Sequence, residues 1–158
     1  MFTPKLLPNQ YKILGWFVLI PATICGIILA SLGFDAKWMT ARVFAIWNEE
    51  LFTKDQLFAF ITTDISNTII GTVFIVGGML VAFSREKQED EFIAKLRLSS
   101  WMWAVLVNYI LLILAFIFVY GMPFMHVMIY NMFTILILFI IRFNYLIYRT
   151  SKALADEK

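Results

Sequence analysis

Few side chains in this 158-residue sequence have the chemistry for a site, and most of them fall in two short stretches. Asp64, Asn67, Thr68, Gly71 and Thr72 are spaced i, i+3, i+4, i+7 and i+8, which places them on one face if the stretch is helical. His126, Tyr130, Asn131 and Thr134 form a second polar group in an apolar surround. A carboxylate inside an apolar run is a functional candidate by default, because polar groups in hydrocarbon are costly. Asp64 with His126 would make a proton-relay pair if the fold brought them together. The plainer reading keeps Asp64 at an interface, bonded to Asn67 or Thr68, where its cost is lower. The candidate intramembrane polar cluster is therefore Asp64, Asn67, Thr68, His126, Asn131 and Thr134.

Other chemistries are excluded by residue supply. The chain has one cysteine, Cys25, and one histidine, His126, too few for an internal disulfide, a structural zinc site or a haem held by two histidines. It has no nucleophile elbow, phosphate loop or paired metal-ligand motif. The expectation is a non-enzymatic protein with no metal and no cofactor. A net charge of +2, from 13 basic and 11 acidic residues, is too balanced for nucleic-acid binding.

The elements that position these residues are set by an excess of apolar side chains. Hydrophobic residues are 61% of the chain and charged residues 15%, whereas a soluble domain is about half apolar and a quarter charged. A chain this short cannot bury the surplus internally, so it must face lipid. Four spans are expected, at about 13–34, 57–83, 101–120 and 124–148, in an all-α bundle of two transmembrane hairpins forming one domain. The first run is longer than the apolar region of a signal peptide, which favours a retained span over a cleaved one. Pro21 is expected to kink it. Ala22, Gly26 and Ala30 make a small-residue packing stripe, with Gly71 and Gly78 serving the second span and Cys25 a buried filler.

Between the first two spans, Phe44, Trp47 and Leu51 recur at three- and four-residue steps. They suggest either a short amphipathic helix in the headgroup plane or a loop folded over the bundle. Thr53 and Gln56 form a capping-box pattern that would start the second span. Gly121-Met122-Pro123 should break the chain between the third and fourth spans. Asn108 and Asn131 are expected to act as interhelical glue, and Arg142 to snorkel or to pair with Glu86 or Asp90.

Residues 84–100 are the charged link of the chain. Acid leads and base follows, and Glu91 and Lys95 form a favourably oriented i, i+4 pair. With no Pro or Gly from Glu86 to Tyr120, the third helix should project beyond the membrane. Glu89, Asp90, Glu91, Lys95 and Arg97 are the candidate docking residues for a protein partner. If Arg142 is counted with the link and the termini, ten of the 13 basic residues share that side. Only Lys37, Arg42 and Lys54 fall in the first outer loop. Both termini are therefore expected in the cytoplasm.

The EDEFIAKLR segment at Glu89–Arg97 and the YNMFTILILFIIRFNYLIYR helix at Tyr130–Arg149 resemble those of small uncharacterised four-span bacterial inner-membrane proteins. The resemblance covers chiefly the C-terminal half. It implies a regulatory or sensory role, because several such families are encoded beside helix-turn-helix regulators. Three functions follow in order: a partner-binding accessory protein, alone or as a homo-oligomer; an oligomeric solute or ion pathway along the helix 2 stripe; and a lipid-modifying enzyme using Asp64 and His126.

Overall fold

A computed structural model describes residues 6–32, 38–48, 56–87 and 89–156. Its elements in chain order are α1 (Gln10–Ser31), β1 (Thr40–Asn48), β2 (Gln56–Asp64), α2 (Ser66–Phe83), α3 (Glu91–Phe118) and α4 (Met122–Asp156). The protein is mainly helical, and all four helices are long and apolar enough to cross a membrane. Two compact units divide the chain: 19–74, and 1–18 with 75–158.

The smaller unit contains the main departure from expectation. Residues 40–48 and 56–64 form an antiparallel hairpin, so neither an interfacial helix nor a second span starting at 57 exists there. Both strands alternate. Arg42, Phe44 and Ile46 are exposed and Ala41, Val43 and Ala45 are half-buried, a period of two with strand-favouring aromatic and β-branched residues. The three-residue step from Phe44 to Trp47 mimicked a helix inside β1, and Leu51 lies outside the described residues. Thr53 lies outside the described residues, and its capping partner Gln56 is in β2. Pairing runs from Thr40 opposite Asp64 to Asn48 opposite Gln56, with no pair recorded between Ile46 and Phe58. Phe58 is the one described non-glycine residue at positive φ (54°), which disturbs the ladder at that point.

α2 therefore has 18 residues and a length of about 27 Å, close to the thickness of a bilayer's hydrocarbon core. Pro21 sits inside α1 without ending it. Of the α1 stripe, Ala22 is buried, but Gly26 has open space where a side chain would stand.

In the larger unit the close approaches fall on other glycines. A Cβ on Gly15 of α1 would lie 2.8 Å from the Val81 backbone nitrogen of α2. Gly78 of α2 is packed against the Leu136 side chain of α4. α3 and α4 form an antiparallel pair joined by residues 119–121, with Gly121 in the left-handed region (φ 71°). Pro123 does not break the chain. It sits in the first turn of α4, where its missing N–H has no helical partner to lose. α4 continues to Asp156, through most of the expected polar tail.

Candidate functional site

The two polar stretches belong to different units. In the smaller unit Asp64 ends β2, and its Oδ1 accepts a hydrogen bond from the Ser66 N–H at 2.6 Å. The Ser66 hydroxyl accepts from Met39 N–H at 3.1 Å, and Ile65 N–H donates to Met39 O at 2.9 Å. Asp64 thus fastens the base of the hairpin to the first turn of α2. The helical spacing that grouped it with Asn67, Thr68 and Gly71 does not apply, because α2 begins only at Ser66. Asn67, Thr68 and Thr72 are exposed rather than turned into a bundle interior, and Gly71 is half-buried. Thr72 donates to its own helix at Thr68 O.

In the larger unit His126 is exposed, with Nδ1 3.2 Å from Met122 O one turn back, and Thr134 donates to Tyr130 O. Asn131 is different. Its amide donates across to Asn108 Oδ1 of α3 at 3.2 Å, and Asn108 is buried. Asn108 and Asn131 thus make a polar contact between α3 and α4.

The densest arrangement of charge and aromatic rings lies where α2 ends and α3 begins. Asp90 caps α3, its Oδ1 accepting from Ile93 N–H at 2.8 Å. Glu89 receives Arg97 Nη2 at 3.0 Å through one carboxylate oxygen, and the Glu86 N–H at 2.9 Å through the same oxygen. Arg97 is buried, 7% exposed, with its guanidinium 5.0 Å from the centre of the Phe143 ring. Its Nε and Nη1 have no hydrogen-bond partner among the described residues.

From Arg97 a stack of rings crosses the helices. Trp101 lies face to face with Phe139 at 4.2 Å, and Phe139 stacks on Phe143 at 5.5 Å. Phe83 at the end of α2 meets Trp101 at 5.8 Å. The i, i+4 pairs Arg97/Trp101 on α3 and Phe139/Phe143 on α4 carried this signal in the sequence. Arg142 lies 4.5 Å over the Trp103 ring and forms no ion pair among the described residues, so the pairing with Glu86 or Asp90 that stood as the alternative to snorkelling is not formed there.

The N-terminal segment closes onto the same end. Leu7 N–H donates to Phe83 O at 2.9 Å, Arg85 N–H to Leu7 O at 2.8 Å, and Lys12 pairs with Glu86. Of the five expected docking residues, Arg97 is thus buried, Glu89 holds it, and Asp90 caps a helix. Glu91 and Lys95 remain exposed and form no ion pair among the described residues. Phe92 (50% exposed) and Leu98 (63% exposed) stand beside them.

These features define a mainly helical protein with four candidate membrane-crossing helices and a β-hairpin between the first two. No family model, curated protein or solved structure matches the chain.

Proposed function

We propose that this chain is a non-enzymatic, multi-pass protein of the bacterial inner membrane that docks a protein partner through the exposed start of α3. Both termini and the link lie in the cytoplasm in this reading, and the four helices form one transmembrane bundle. The observation that carries it is the length of α3. Its 28 residues extend about 42 Å, roughly 12 Å more than a hydrocarbon core, and the surplus falls on the charged first turns. There Glu91, Phe92, Lys95 and Leu98 form a small face with charge and apolar area, while Glu89 and Arg97 hold the link beneath it.

Partner docking of this kind gives the protein an accessory or regulatory role. A doubly reversed variant, Glu91→Lys with Lys95→Glu, is expected to leave the fold intact, because neither charge has an ion-pair partner among the described residues. The expected outcome is loss of the proteins that crosslink to wild-type chain in intact cells, with unchanged membrane abundance. An unchanged crosslinking pattern would remove the proposal.

A further inference from the structure

The larger unit has an open cleft of about 680 Å³ among the starts of α1 and α3, the link and the last turns of α4. The volume is that of a small-ligand site, which spans roughly 300–1,000 Å³. Its lining combines two cations, Lys12 and Lys87, two carboxylates, Glu86 and Asp90, and an apolar wall that includes Trp16 and Ile147. On α1 the charge comes first and the apolar residues follow one turn deeper, which is the polarity of an amphiphile entering from a membrane surface.

We infer that this cleft binds the headgroup of a phosphoethanolamine lipid, with part of an acyl chain along Trp16 and Ile147. This rests on the membrane reading above, since the part of α3 just beyond the hydrocarbon core passes through the headgroup zone. Lys12 and Glu86 already pair and shape the cleft. Lys87 is exposed, with no ion pair among the described residues, and is the partner for the phosphate. Asp90 uses one oxygen to cap α3, and its second oxygen is the acceptor for the lipid's primary ammonium. The balance of two positive and two negative groups selects against an anionic glycerol headgroup, which needs surplus positive charge. A choline headgroup carries the same net charge but has no N–H to donate to Asp90.

The test is native mass spectrometry of the full chain released from nanodiscs holding equal amounts of phosphatidylethanolamine, phosphatidylcholine and phosphatidylglycerol with matched acyl chains. Retained lipid should be enriched in phosphatidylethanolamine by about three- to fivefold, the scale of one exposed ion pair. Lys87→Gln should lower that retention by a similar factor. Asp90→Asn, which keeps a good helix cap, should abolish the preference over phosphatidylcholine while leaving the melting temperature unchanged. Equal retention of the three lipids, enrichment of phosphatidylglycerol, or a preference that survives both substitutions would overturn the inference. Those outcomes leave the membrane reading standing, whereas a chain that stays monomeric in water without detergent removes both.

Discussion

Arg97 is a fully charged side chain in a nearly closed environment, and the two halves of its ion pair are unequal. Arg97's side chain is 9% exposed and that of Glu89 22%. Removing the carboxylate strands a buried cation, leaving Glu86 as the remaining acid whose field reaches it. Removing the cation leaves an acid that can reach water. Glu89→Gln is therefore expected to lower stability by about 2–3 kcal/mol, and Arg97→Met by about 1 kcal/mol or less, since the methionine stem retains contact with Phe143. Reversible unfolding of the detergent-solubilised protein, followed by near-ultraviolet circular dichroism, would measure the order of the two. Glu89 was legible as a charged residue of the link. Its engagement with Arg97 was not, because an i, i+8 relation across a helix start has no sequence signature.

At the scale of elements, glycine distinguishes true helix contacts from apparent ones. The stripe Ala22, Gly26, Ala30 was conspicuous in the sequence, yet close approaches fall at Gly78, against a side chain, and at Gly15, where the nearest neighbour is backbone. Gly15→Ala should cost about 2–3 kcal/mol, because a main-chain nitrogen cannot step aside. Gly78→Ala should cost nearer 1 kcal/mol, since Leu136 can change rotamer. Gly26→Ala, with open space around it, should be neutral or stabilise by about 0.5–1 kcal/mol through helix propensity. Melting of the three variants in one detergent would test that ranking. The apolar runs made the helices legible, because length and hydropathy suffice for that. The hairpin was not, since a short strand with aromatics can satisfy three- and four-residue spacing by accident. Asp64 shows the consequence: its helical neighbours were inferred from a helix that begins two residues later.

For the whole molecule, the proposed orientation predicts which segments stay on one side of the membrane. Alkaline phosphatase fused after residue 90 should be inactive, and a fusion after Asn48, in the hairpin, active. A reporter pattern with both fusions active would contradict the proposed arrangement of the four helices. The ring stack from Phe83 to Phe143 draws on α2, α3 and α4, so disruption at any one helix should loosen the other two. That dependence fits a small protein whose buried residues are few and whose broad apolar surface is left to its surroundings.

The backbone clasp between Leu7 and residues 83–85 sets an order of events during synthesis. The leading segment leaves the ribosome long before its binding edge has been made, so in the proposed membrane arrangement α1 waits until α2 has been threaded back. A bulky fusion placed immediately ahead of Leu7 would obstruct that late closure, whereas one appended after Lys158 would leave it free.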